Sequence, residues 1–166
     1  MTAPTKATSG MSRYMARLRA SVGHDLLLVP AAVARIQDAS GRILLLQRSD
    51  GDDLWGFPGG AIEPGESAAA AVKREVRQEI GLEVEPVGLI GVYSAPSYIF
   101  RYPNGDQVQP LGILFDCQVL GGRLEPDQEE VVGARYFGRD ELPPMRPCCV
   151  AKARDAFAYD GHPFVR

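Results

Sequence analysis

Glu75 and Glu79 stand four residues apart in a segment, residues 67–80, whose apolar spacing is that of a helix. At that spacing two carboxylates project into the same volume, and like charges there repel. A hard divalent cation turns the repulsion into binding, because Mg²⁺ takes oxygen ligands and keeps several of its waters. Gln78 offers a neutral carbonyl oxygen beside them. The helix pattern by itself also suits a solvated charged face, the usual fate of such pairs.

The loop before the helix distinguishes the segment further. Trp55-Gly56-Phe57-Pro58-Gly59-Gly60 is too rich in glycine and aromatics for a plain connector, and Glu63-Pro64-Gly65-Glu66 follows it. Read together, Gly60, Glu66, Arg74, Glu75, Val76, Glu79, Gly81 and Leu82 resemble the Nudix box, G-x5-E-x7-R-E-U-x-E-E-x-G-U, where U is a bulky aliphatic. Eight of its nine defining positions agree over residues 60–82, with both long spacers matched. The flanking strand pattern extends the resemblance over most of residues 29–158. One position departs. Gln78 stands where the family has the first glutamate of its pair, commonly a metal ligand, and this withdraws one negative charge from the cluster.

The resemblance implies a hydrolase with Mg²⁺ or Mn²⁺ as cofactor, cleaving a phosphoanhydride bond in a nucleoside diphosphate linked to another moiety. ADP-ribose-like compounds, dinucleoside polyphosphates and nucleoside triphosphates all fall within that class. It implies that Glu75, Glu79 and the backbone carbonyl of Gly60 hold the metal, with Gln78 able to add its own oxygen. Arg74 would orient Glu75, and Glu66 would pair with Arg74 or touch metal-bound water. Nudix enzymes often bring a further glutamate from a later loop as ligand or base. In the acidic stretch 125–130, Glu130 is the first candidate and Glu129 the second, against a solvated surface turn. The rival function is a binding or regulatory module of the same fold with weak or no turnover, and Gln78 is its support.

Substrate recognition is written less sharply. Trp55, Phe57 and Tyr98, like Tyr93, Phe100 and Tyr102, carry rings able to stack on a base, although aromatics in strands more often fill a core. Arg48, at the end of a strand facing the glycine loop, suits a phosphate or an acidic partner. His24 and His162 lie outside any constellation and are expected at the surface.

These residues need a frame. Residues 29–38 and 42–48 are apolar runs on either side of Asp38-Ala39-Ser40-Gly41, a hairpin-like turn signal. A loop over 49–65 leads to the helix at 67–80, which Ser67 caps and Gly81 ends, with Ala68, Ala69, Val72, Val76 and Ile80 facing a sheet and Glu75 and Glu79 on the border of that face. Strands are expected around 83–93, 97–102, 107–119 and 134–137, with a break at Gly121-Gly122 and a helix from Pro147 to about Ala158. The expected class is α/β, a sandwich with a mixed β-sheet between helices. Residues 1–20 are expected to be a disordered tail over 1–10 and a short amphipathic helix over 12–21, packed on the domain or on a second subunit of a homodimer. Residues 21–166 form the domain.

The 166 residues carry a net charge of −3, which gives no basic footprint for polymeric nucleic acid and leaves small anionic ligands open. Three cysteines, an odd number, fit a reducing compartment and semi-buried thiols better than a disulfide scaffold or zinc. With no apolar stretch of membrane length and no signal-like start, a cytoplasmic protein without membrane partners is expected.

Overall fold

The computed structural model describes residues 11–49 and 53–166, so the expectation for residues 1–10 lies outside it. Strands β1 (Leu27–Ile36) and β2 (Ile43–Arg48) are apolar on both faces, and their alternation builds the two halves of the core. Ala32, Ala34, Ile36, Leu44 and Leu46 join Ala71, Val72, Val76 and Ile80 of helix α2 (Ala68–Ile80). Ile43 and Leu45 turn the other way, to Phe57, Tyr93, Leu114, Phe137 and the Ala153 and Ala156 side of helix α3 (Pro147–Ala158). Helices therefore cover both sides of the strands, the expected α/β sandwich.

The larger sheet is mixed. It runs β4 (Gly59–Ala61), β1, β7 (Gln107–Gly122), β5 (Leu82–Tyr93), β9 (Phe164–Val165), with β6 (Phe100–Arg101) also on β7. The β1–β7 and β5–β9 pairs are parallel and the rest antiparallel. The smaller sheet is β3 (Trp55–Gly56), β2, β8 (Val131–Phe137), all antiparallel.

Several sequence expectations shift. The turn at residues 38–41 forms, with the Gly41 N–H donating to the Asp38 carbonyl at 3.0 Å. It does not make a hairpin: β1 and β2 meet only at the Gln37–Ile43 bridge and part into different sheets, because β4 and β7 already occupy both edges of β1. The strand expected at 97–102 is a one-turn 3₁₀ helix, Pro96–Tyr98, followed by the short β6. Pro96 supplies no N–H and fixes φ, which suits a first turn better than a ladder. The glycine pair ends β7 rather than breaking the chain beyond 119, and the short β3, β4 and β9 had no sequence signal. On α2 Ser67 and Gly81 cap as expected, but Ala71 is buried where Ala69 is half-buried. Helix α1 (Arg13–Val22) docks on its own domain through Arg19, which donates to the Gln107 carbonyl at 2.8 Å and lies 3.5 Å from Asp106. Among the described residues no helix is long and apolar enough to cross a membrane.

The pairing of β4 with β1 depends on Gly59, which lies opposite Val33. Its φ is 135°, and a Cβ there would stand 2.3 Å from the Ala32 carbonyl oxygen and 2.6 Å from the Val33 Cα. Both neighbours are backbone in the sheet, so they have little room to yield. Gly59→Ala is expected to lower the unfolding free energy by about 2–4 kcal/mol, within the range of severe single substitutions. Urea unfolding checks it, and an unchanged midpoint would show that the β4–β1 pairing tolerates a side chain.

Candidate active site

Glu79 is 2% exposed, deeper than the border position its helix pattern suggested. Its Oε1 accepts from Arg48 Nη1 at 2.7 Å and its Oε2 from the Gly59 N–H at 2.8 Å. Arg48 is the last residue of β2, so the side chain of Glu79 ties the end of one strand to the glycine loop across the last turn of α2. Burial pushes this carboxyl up to about 7, against the pull of Arg48 and the Gly59 N–H, and nearby Glu75 adds to the rise.

Arg74 organises the neighbouring turn. Its Nε and Nη2 bind the two oxygens of Glu66 at 3.1 and 2.5 Å, and Nη1 donates to Glu75 Oε1 at 2.6 Å and to Gln78 Oε1 at 3.2 Å. Nη2 also reaches the Ala61 carbonyl at 3.2 Å. The Arg74 hydrogen bonds hold Glu66 below the usual carboxylate range, helped by the Glu63 N–H at 2.8 Å. Gly60 lets the strand backbone lie against Glu75, since a Cβ there would come within 2.7 Å of the Glu75 Cδ. The expected pairing of Arg74 with Glu75 and Glu66 is therefore present.

The acidic loop is folded onto the end of α2. The Glu125 N–H donates to the Ile80 carbonyl and the Asp127 N–H to the Glu79 carbonyl, both at 3.0 Å. Asp127 Oδ1 accepts from the N–H groups of Glu129, Glu130 and Val131 at 3.1, 2.9 and 3.0 Å. This closed turn points Glu130 inward, 3.7 Å from Arg48 Nη2, and leaves Glu129 exposed. Burial raises the Glu130 carboxyl, with Arg48 opposing and Asp127, Glu75 and Glu129 reinforcing. Asp127 was missed at sequence level. Its signal was an aspartate placed to accept from the following backbone N–H groups, the side-chain-closed turn that Asp favours.

Glu63, Arg74, Glu75, Gln78, Glu79, Asp127 and Glu130 line one cleft of about 520 Å³, with Met11 and Ser12 at its rim. Five carboxylates and one arginine face it, an excess of negative charge. Among the described residues no three carboxylate, imidazole or thiolate groups converge closely enough to cage a metal ion. The donor set is nonetheless all hard oxygen, and two of its carboxyls, Glu79 and Glu130, are pushed toward protonation by burial, with Arg48 offsetting only part of it. Those are groups a divalent cation would return to the ionised form. The ring candidates fall outside the cleft lining. Phe57 is 6% exposed in the α3-side core, Trp55 stacks edge-on with Phe137 at 4.9 Å, and Tyr98 and the buried Tyr93 pack in the same cluster. Arg48 pairs with acids of the site.

The model for the NUDIX domain matches residues 27–157. The chain belongs to the Nudix family. Among Nudix relatives, an ADP-ribose pyrophosphatase of Methanocaldococcus jannaschii is 34% identical over 125 residues, covering 74% of this chain and 70% of that protein. An NAD-capped RNA hydrolase of Stutzerimonas stutzeri is 31% identical over 144 residues, covering 86% of this chain and 48% of that one. The crystal structure of an ADP-ribose pyrophosphatase from Streptococcus suis superposes with a TM-score of 0.66 at 26% identity, over 83% of this chain and 97% of that one. A UDP-X diphosphatase shares the fold at a TM-score of 0.68 and 20% identity, over 92% of this chain and 74% of that one. The matched span holds Arg48, Gly60, Glu66, the α2 residues and Glu130 of this Nudix chain, and it leaves α1 outside.

The buried carboxyl gives a pH signature. Its folded pKa lies above the unfolded value of 4.5, so the native state holds the proton longer and stability falls as pH rises toward about 7. With a chelator present, the wild type is expected to lose on the order of 3 kcal/mol relative to Glu79→Gln over that window. Urea midpoints measured from pH 4.5 to 8 test this, and parallel curves for the two proteins would place the ionised carboxylate at no cost.

Proposed function

We propose that this Nudix chain is a Mg²⁺- or Mn²⁺-dependent hydrolase of the phosphoanhydride bond in a nucleoside diphosphate linked to another moiety. The observation that carries the proposal is the cleft lined by Glu75, Gln78, Glu79 and Glu130, with carboxylates in excess. Relatives named for ADP-ribose and for NAD-capped RNA support a substrate of this class, with ADP-ribose-like compounds first to be tried.

A divalent cation, when bound, would supply charge screening at the diphosphate and an acidified water. Glu75, Glu79, Glu130, the Gly60 carbonyl and Gln78 are the residues that would hold it. Arg74 fixes one oxygen of Glu75, and the other, Oε2, has no hydrogen-bond donor among the described residues and remains available. Glu66 acts on Arg74 and not in the cleft, which makes it a positioning residue. Arg48 keeps Glu79 and Glu130 facing one volume. The binder alternative rests on Gln78, which does line the cleft.

A phosphate-release screen over ADP-ribose, dinucleoside polyphosphates and nucleoside triphosphates, with Mg²⁺ and with Mn²⁺, tests the activity. Glu75→Gln and Glu79→Gln are each expected to cut turnover by more than tenfold, about 1.4 kcal/mol or more in barrier. Because Glu79 is buried, circular dichroism on that variant separates lost chemistry from lost fold. A Glu75→Gln protein retaining more than about a tenth of the wild-type rate would remove Glu75 from the mechanism.

Gln78→Glu should restore ligand charge and bring half-maximal activity to lower Mg²⁺. Superimposable Mg²⁺ titrations would show that residue 78 does not sense the metal. Turnover in the variant alone would favour the binding module.

A further inference from the structure

The first turns of α3 hold three groups that the proposed hydrolysis does not use. Cys148 and Lys152 are 6% and 4% exposed, and at i and i+4 they share a helix face. Half-buried Cys149 lies beside them, its sulfur 3.9 Å from that of Cys148. The ammonium of Lys152 stands 5.3 Å from the centre of the Tyr93 ring, and among the described residues no carboxylate is within ion-pair distance of it. A buried cation without an anion is costly. One turn toward the N-terminus on its own face stands the Cys148 sulfur, in the first turn of α3, where the helix dipole favours negative charge. Buried Asp155, one turn the other way, is bonded to the Tyr93 hydroxyl and to Arg166 at 3.1 Å.

We propose that Cys148 and Cys149 form a hydroperoxide-reactive dithiol, in which Cys148 is the attacking thiolate paired with Lys152 and Cys149 is the resolving thiol. The Cys148 thiolate attacks the hydroxyl-bearing peroxide oxygen, the O–O bond breaks, a sulfenic acid remains, and the departing alkoxide or hydroxide takes a proton from solvent to leave as alcohol or water. The Cys149 sulfur then attacks the Cys148 sulfur, the S–S bond forms, and hydroxide departs as water with the Cys149 proton. Two electrons pass from the dithiol to the hydroperoxide. The hydrogen bond from Cys149, with Lys152 and Arg146, holds Cys148 below the usual thiol range despite burial, while the same bond and burial push Cys149 up.

The product must disturb the helix start. Adjacent Cα atoms are about 3.8 Å apart, whereas disulfides usually span about 4.4–6.8 Å, so this bond unwinds the first turn and is readily reduced. That turn follows Arg146, whose guanidinium lies over Phe100 at 4.5 Å and Tyr102 at 5.4 Å. Cys149 Sγ also rests against Gly56, 3.5 Å from where a Cβ would be, beside Trp55. Oxidation therefore reaches the loop that carries Gly59 and Gly60.

Purified full-length protein, freed of reductant, is treated with hydrogen peroxide and mapped by mass spectrometry. The peptide holding both cysteines should lose two hydrogens, while Cys117, whose thiol burial pushes up to about 12, stays unmodified. Emission from Trp55, the one tryptophan, should shift and return with dithiothreitol. Cys149→Ala should stop at a Cys148 sulfenic acid captured by dimedone, and Lys152→Met should slow that capture at least tenfold at pH 7, with Lys152→Arg restoring it. In the wild type, Cys148 alkylation should be half-maximal below the ordinary thiol pKa of about 8.5, a measurement that needs no variant to fold. Cys148 reacting no faster than Cys117, or titrating as an ordinary thiol, would overturn the proposal. An unmoved Trp55 emission in the oxidised protein would sever its link to the loop.

Discussion

A carboxyl removed from water is stable in only two ways, ionised beside positive and hydrogen-bonding groups or neutral with its proton, and Glu79 sits near the balance between them. Arg48 and the Gly59 N–H offset part of its desolvation, and the remainder shows as a carboxyl raised to about 7. This single residue joins three pieces of chain. Its side chain holds the end of β2 and the glycine loop, and its carbonyl accepts the Asp127 N–H that starts the acidic loop. Removing Arg48 would leave a buried charge without its partner, a change far costlier than losing a surface pair. The geometry of the cleft therefore depends on a charge that the fold compensates only in part.

Arg74 stands on the other side of that cleft and works under different physics. Its side chain is about one-third exposed, so the pairs with Glu66 and Glu75 are screened and add little to stability. Their effect is directional. A planar guanidinium that binds Glu66 through two nitrogens cannot rotate freely, and the donor left over falls on Glu75. Glu66 in turn is fixed by the Glu63 N–H in the loop before α2. The cost of burying charge is concentrated at Arg48–Glu79 and orientation at Arg74, so the two arginines divide the work of holding like charges together.

Much of this was legible in the chain because the relevant signals are local. Ser67, Gly81 and the spacing of Val72, Val76 and Ile80 define α2 by short-range geometry, and the Nudix box names the site residues at fixed offsets along it. What escaped depends on contacts distant in sequence. The depth of Glu79 is decided by Arg48, 31 residues earlier, and by the glycine loop, neither of which enters a helical pattern. The false hairpin at residues 38–41 has the same origin: the turn chemistry is correct, but β7, far along the chain, takes the edge of β1. Phe57 offered the same ring whether it met a base or the core, and only its neighbours Phe137 and Leu114 place it inside.

Gln78 gains meaning from this arrangement. Its amide oxygen accepts from the same Arg74 nitrogen that holds Glu75, at 3.2 Å against 2.6 Å, so it is the weaker claimant. A carboxylate at 78 would compete for that nitrogen on equal terms, and Glu75 would share its partner. The neutral amide leaves the Arg74–Glu75 pair undivided, at the expense of one negative charge in the cleft. The acidic loop supplies charge from another direction, since Asp127 and Glu130 line the same volume and Asp127 fixes the turn that brings Glu130 in. A family pattern built on three helix carboxylates is thus rearranged, with two on α2 and the remainder on a loop whose anchor is the backbone of Glu79.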